Sequence, residues 1–219
     1  MKIMNFCKAI ALTAITSLAL MHSPARADTV DFNSNPNPVN PFQANGLINS
    51  GGFTFAAPFV GVVNGSLSEW HYGVGNNSPM LAFYGDTDNF LTVSRTNGGA
   101  FSLSTLDVGR WFGLDSEGPS VSLSITGYTG PGQTGAQVIL SPLALAQNTT
   151  SFSQVLIQPQ FASLSFQSLR FYLSGYEYGG YVAVDNLVLT PVPEPETYAL
   201  LLAGLGLLAV IGRRRKTLG

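Results

Sequence analysis

Val121-Ser122-Leu123-Ser124-Ile125-Thr126 alternates apolar and hydroxyl side chains without a break. Successive side chains of a strand point to opposite faces, so this stretch buries one face and offers water a row of hydroxyls. That is the pattern of a half-buried antiparallel strand. Phe101-Ser102-Leu103-Ser104 begins the same way and then changes phase before Leu106 and Val108, which predicts a bulge. Working outward, runs of β-branched and aromatic residues recur between turn residues. The predicted strands are Gly52–Ala56, Phe59–Val63, Leu67–Val74, Met80–Tyr84, Phe90–Arg95, Ala100–Leu106, Val121–Tyr128, Gln137–Leu140, Phe152–Ile157, Leu164–Leu173 and Tyr181–Leu189. Asp28 to Ala44 reads as a further strand followed by a loop, since Asn33 to Asn40 is nearly all Asn and Pro. Asn97-Gly98-Gly99, Gly127 to Gly132 and Gly179-Gly180 supply turns. Many short strands in one body predict an all-β, jelly-roll-like antiparallel β-sandwich.

Both ends of the chain read differently from this body. Lys2 and Lys8 precede an apolar stretch from Ala9 to Met21, and Ala25-Arg26-Ala27 forms a small-residue cleavage site. Residues 1–27 are therefore expected to be a signal peptide cut by signal peptidase, with Asp28 as the first mature residue. Cys7, the chain's one cysteine, leaves with it, so the mature protein has no disulfide to rely on. Residues 28–190 then form the single domain. They hold seven Asp and three Glu against Arg95, Arg110 and Arg170 and no lysine, a net charge of −7. Nucleic-acid affinity comes largely from cations that displace counterions, so this balance excludes a nucleic-acid partner.

The tail, residues 191–219, has three parts. Pro191, Pro193 and Pro195 forbid a helix and favour extended backbone, with Glu194 and Glu196 keeping it solvated. Thr197 to Gly212 carries no charge and is rich in Leu and Ala. It is expected to be a single transmembrane helix, short at roughly 24 Å against a hydrocarbon core of about 30 Å. Arg213-Arg214-Arg215-Lys216 closes the tail and stays cytoplasmic by the positive-inside rule. In this order the Pro193-Glu194-Pro195 triplet, apolar helix and arginine cluster resemble the PEP-CTERM sorting signal of Gram-negative bacteria. The resemblance implies recognition by an exosortase, transit anchored in the inner membrane, and delivery to the cell surface or extracellular matrix. A plain membrane anchor with a basic flank is the alternative.

Chemistry in the body is sparse. His71 is its one histidine, and no nucleophile elbow or paired zinc histidines occur. Glu69, Glu117 and Glu177 could serve a glycosidase pair only if the fold joined two carboxylates. The body resembles the jelly-roll sandwiches of carbohydrate-binding modules in Phe101-Ser102-Leu103 with Leu106-Asp107-Val108-Gly109, in Ile125-Thr126-Gly127-Tyr128 and in Ala183-Val184-Asp185-Asn186-Leu187. Such modules often hold a structural calcium between an acidic residue near the first strand and an aspartate in the last, positions taken here by Asp31 and Asp185. Under strict alternation Asp185 shares a face with Leu187 and Leu189, so a core on that face would bury the carboxylate and demand a cation or several donors. Hydrogen bonding to nearby backbone is the other way to satisfy it. Trp70, Tyr72 and Trp111 are the largest candidates for a sugar-stacking platform, against ordinary cross-strand packing. The reading is an exported, non-enzymatic surface or biofilm-matrix protein; a polysaccharide-binding module is the alternative, and a glycosidase a third.

Overall fold

The computed structural model describes residues 27–33, 43–64, 78–85, 89–110, 122–145, 153–174, 180–193 and 200–208. Eleven antiparallel strands make up the body among these residues: β1 (Asp28–Val30), β2 (Gln43–Ser50), β3 (Phe53–Asn64), β4 (Pro79–Gly85), β5 (Leu91–Arg95), β6 (Phe101–Arg110), β7 (Ser122–Gly130), β8 (Thr134–Ala144), β9 (Ser153–Leu156), β10 (Ser168–Ser174) and β11 (Gly180–Pro191). The neighbour order is β8-β7-β10-β5-β3-β4-β11-β6-β9, with β1 beside β11 and β2 beside β3. The all-β antiparallel reading of the sequence holds, but β7 is not half-buried as its alternation predicts: Ser124 and Thr126 are only 2% and 4% exposed, so both of its faces are covered.

β3 joins the two halves of this path. Its first residues, Phe53 to Ala56, pair with β5, and Val60 to Asn64 pair with β4. Pro58 falls in the gap where one neighbour leaves and the other arrives, so its missing N–H costs no ladder bond there. The halves are thus two sheets, β8-β7-β10-β5 and β4-β11-β6-β9, facing each other across one apolar core. Leu91, Val93, Leu123, Ile125, Leu169 and Phe171 enter that core from the first sheet. Leu81, Phe83, Leu103, Leu106, Val182 and Val184 enter it from the second.

The long strands do not alternate strictly, and this corrects several sequence expectations. On β3 the core residues are Phe53, Phe55 and Ala57 before Pro58, then Val60 and Val62 after it. That change of parity makes one strand read as the two expected at Gly52–Ala56 and Phe59–Val63. The bulge expected in β6 is present: Phe101 and Leu103 face the core, then Leu106 and Val108. β11 answers it with its own irregularity, since Asp185 pairs with Asp107, Val188 with Thr105 and Leu189 with Leu103. One extra residue on each strand restores the register. Asn186 adopts φ 48° at this point, a left-handed conformation that asparagine tolerates better than most residues. β8 shifts similarly between Leu140 and Leu143, around Pro142.

β2 lies where no strand was expected over residues 45–50, because it is a polar edge strand with Leu47 56% exposed. The short helix Pro159–Ala162 was not anticipated either; it puts Phe161 against Phe166 at 4.7 Å. The expected strand Leu67–Val74 lies outside the described residues.

Gly127 shows how tightly the first sheet meets this helix. Phe166 is fully buried and exchanges backbone hydrogen bonds with Phe101 at 2.7 and 2.8 Å. Its ring would stand 2.3 Å from a Cβ at position 127. Gly127→Ala is expected to destabilise by about 1–3 kcal/mol through overpacking. The check is a urea melt, with Phe166→Leu added to relieve the clash; an unchanged midpoint for Gly127→Ala alone would contradict this packing.

Candidate functional site

The folded body reaches into the tail. β11 continues through Pro191, which pairs with Phe101, and the Val192 amide donates to the Ala100 carbonyl at 2.8 Å. The sheet thus extends two residues past the expected boundary at Thr190. Pro193 follows, half-buried, at the head of the Pro-Glu-Pro triplet. Glu194, Pro195, Arg213, Arg214, Arg215 and the cleavage-site residue Ala25 lie outside the described residues, while Ala27 is exposed just before β1. Residues 200–208 are helical, within the expected span 197–212. Leu200, Leu202, Leu205 and Leu207 on this helix are 52–73% exposed, so the body offers them no apolar partner. Among the described residues no helix is long and apolar enough to cross a membrane.

Asp185 is buried, but for a reason the sequence did not supply. The phase reset at Asn186 places Val182, Val184, Leu187 and Leu189 all in the core. Asp185 therefore does not share the core face with the leucines; it takes the opposite face of the second sheet, beside Ala183. That face carries its own buried cluster of Val63, Met80, Ala82 and Ala183, with Tyr181 packed against it. The Asp185 Oδ1 accepts the Asn186 amide at 2.8 Å, and its Oδ2 accepts the Ser78 hydroxyl at 3.1 Å. Directly across on β6 stands Asp107, a partner that sequence reasoning quoted but did not assign. Its Oδ2 accepts from Asn186 Nδ2 at 2.8 Å, while its buried Oδ1 meets no hydrogen-bond donor among the described residues. Asn186 thus bridges two carboxylates that would otherwise repel across the strand pair.

Asp31 follows Val30, whose partner is Leu187, so its chain position is level with Asn186. Its own oxygens accept from the Asn33 amide at 3.2 Å and from Asn33 Nδ2 at 2.9 Å. Among the described residues no three carboxylate, histidine or cysteine groups gather to hold a metal.

Trp70, Tyr72, Trp111 and His71 lie outside the described residues. A different aromatic row crosses the second sheet: Phe59, Tyr84 and Tyr181 stand opposite one another on β3, β4 and β11. Their centroids are 6.3 and 5.2 Å apart and their planes cross at 83° and 68°. Edge-to-face rings stabilise the strand pairs and present no flat surface for stacking. Burial, and then the neighbouring Tyr84 phenol, push the Tyr181 phenol above its usual value of 10.0.

An all-β sandwich whose last strand leads straight into a proline-marked segment and an unpartnered apolar helix is built as a body with a C-terminal sorting signal. Residues 191–216 match the PEP-CTERM protein-sorting motif, and the chain carries that motif. The motif implies export, membrane-anchored transit and processing by an exosortase. In structure the chain is similar to a family 29 carbohydrate-binding module at 14% identity, over 76% of this chain and 89% of that one, with a TM-score of 0.38. It is similar to the family 11 carbohydrate-binding module of a cellulosomal cellulase of Clostridium thermocellum at 13% identity, over 78% and 98% of the two chains, with a TM-score of 0.37. A DUF4465 family protein from Bacteroides ovatus matches at 15% identity over 78% and 96%, with a TM-score of 0.44. No curated protein matches the sequence.

Two outcomes follow from this geometry. Asp185→Ala leaves the Ser78 hydroxyl and Asn186 amide without their acceptor, a cost of about 1–3 kcal/mol. The loss should be equal in calcium and in chelator; a loss seen only in calcium would instead place an ion at the Asp31–Asp185 pair. For Tyr181, a raised folded value means that the folded state holds the phenolic proton more tightly. Its contribution is complete below about pH 10 and disappears as pH rises through the folded value. Tyr181→Phe should flatten that alkaline slope in melts taken from pH 8 upward.

Proposed function

We propose that this chain is a non-enzymatic surface or extracellular-matrix protein of a Gram-negative bacterium, delivered by its tail into a polysaccharide-rich biofilm. The observation that carries the reading is the sorting motif's direct attachment to the last strand, with exposed leucines immediately beyond it. Signal peptidase removes residues 1–27, residues 197–212 anchor the chain in the inner membrane, and exosortase acts near Pro193-Glu194-Pro195. β1 beginning at Asp28 supports the mature start, because the first residue after Ala27 is already in the sheet. The body itself is read as a jelly roll. The strands β4 to β11 distribute as β4-β11-β6-β9 and β5-β10-β7-β8, which is the alternation that two interleaved Greek keys require.

Support for a non-catalytic body comes from the one facing carboxylate pair among the described residues. A glycosidase pair must reach both substrate and water. Asp185 is only 1% exposed and its oxygens are occupied by protein donors, so Asp107 and Asp185 do not meet that need.

The intact mass of the protein recovered outside the producing cell tests the sorting reading. A chain beginning at Asp28 and ending after Val192, within or near the triplet, is expected. An end before Pro191 would strip paired strand residues from the sheet and is not expected. A membrane-bound chain still ending at Gly219 would overturn the proposal in favour of a permanent anchor.

A further inference from the structure

The register brings both ends of the body to one end of the sandwich. Pro191 pairs with Phe101 at the start of β6, and the Val192 amide bonds to Ala100. Asp28 stands opposite Leu189, so the chain also enters the sheet there. Four connections turn round at this same end: residues 51–52, 96–100, 131–133 and 157–167. Hydrogen bonds tie them to one another and to the strand ends. The Thr96 amide donates to the Gly52 carbonyl at 3.1 Å, and the Gln167 amide to the Tyr128 carbonyl at 2.8 Å.

Charge is distributed unevenly between this end and the other. None of the four connections carries a charged residue. At the opposite end Gly85 faces Gly180, Arg110 faces Val182 and Ser174 faces Ser122. The stretches that join those strand ends, residues 86–90, 111–121 and 175–179, hold Asp86, Asp88, Asp115, Glu117 and Glu177 and no cation. Glu69, between β3 and β4, belongs to neither set. Among the described acids Asp28 lies nearest the tail end by register. β11 runs from one end to the other in 12 residues. At the rise of a strand that is about 36 Å.

The tail's length turns this polarity into an orientation. Between Val192, bonded to the sheet, and Leu200, in the helix, stand only residues 193–199. Fully extended they reach about 25 Å. With the helix in a bilayer, the tail end of the body stays within that distance of the surface. The tether alone lets the body stand upright or lie on its side. Anionic lipid disfavours each carboxylate at its surface by about threefold, and the effect fades within a Debye length of about 8 Å. Lying down brings the acidic connections toward that layer, whereas standing on the tail end keeps them several Debye lengths away. The tail end offers headgroups Gly52, Asn97, Pro131, Gln158 and Gln160, all exposed and all uncharged.

We propose that this uncharged end, residues 51–52, 96–100, 131–133 and 157–167, is the face that the body turns to an anionic membrane surface while its tail is anchored. The assignment rests on membrane-anchored transit and adds which face is presented. Its test uses the full chain with Cys7→Ser, reconstituted into phosphatidylcholine vesicles containing phosphatidylglycerol and a nitroxide-headgroup lipid. A fluorophore is attached at Gln160→Cys on the tail end or at Ala144→Cys on the other, both exposed positions. Quenching should be at least about threefold stronger at position 160, the bias that even one carboxylate supplies. Asn97→Asp keeps the acceptor that the Gly99 amide uses. Combined with Gln158→Glu it puts two acids on the face, which should shift the upright population about tenfold in anionic vesicles. Quenching at position 160 should fall there and stay unchanged in vesicles without phosphatidylglycerol. Equal quenching at the two positions, or no response to the two acids in anionic vesicles, would overturn the face. Flotation with the vesicles is read on the same samples. A chain that does not float overturns the anchored reading and the face with it; one that floats and quenches equally overturns the face alone.

Discussion

The structure depends on how its long strands stay in contact with one core while the sheets twist. A strict two-residue alternation over ten or twelve residues would carry apolar side chains off the core as the sheet turns. β3, β6, β8 and β11 each solve this by changing phase once. Pro58 marks the change on β3, and a shift around Pro142 marks it on β8. On β6 and β11 two opposed irregularities cancel, so that Leu103 and Leu189 pair again beyond them. The left-handed Asn186 makes that correction possible. Its side chain then bridges to Asp107, turning a backbone irregularity into a polar cluster.

The same resets decide how much was legible in the sequence. Strands that keep one phase, β4, β5 and β7, were placed within one or two residues of where they lie. Three of those that switch were misread, β3 as two strands, β8 as four residues instead of eleven and β6 as ending at Leu106 instead of Arg110, whereas β11, expected over Tyr181–Leu189, lies within two residues of that span. Asp185 was judged by an alternation that its own neighbour interrupts, so the buried carboxylate was found but assigned to the wrong face. Asp107 could have been found by one signal, namely its place after the phase change that the sequence did reveal in Phe101 to Val108. The polar pocket lined by Thr92, Gln133 and Ser168 had no such signal: it is assembled from β5, β10 and the turn before β8, and only their register brings those residues together.

Arg110 shows the cost of charge inside this body and how it is met. It is 1% exposed on β6, and its Nε and one Nη both donate to the Leu145 carbonyl, at 3.0 and 2.7 Å. A buried guanidinium is tolerated only when its donors are used. Arg170 is only partly buried, and its guanidinium lies over the Phe90 and Tyr172 rings at 3.8 and 5.2 Å. Arg95 has neither solution among the described residues. It stands directly across from Phe53 on β3, and its guanidinium lies against Gly99.

Tail and body pose opposite demands on solvent. Burying a leucine side chain is worth about 1.5–3 kcal/mol. The four exposed leucines of residues 200–208 therefore represent on the order of 6–12 kcal/mol, as much as the whole net stability of a typical domain. Among the described residues no surface of the sandwich covers them. A chain holding both parts in water would associate through that helix. Membrane-anchored transit, which the sorting motif implies, gives the helix an apolar solvent while the acidic, lysine-free sandwich stays wet. Processing near Pro193-Glu194-Pro195, as proposed above, would separate the two demands without removing a single paired residue from β11.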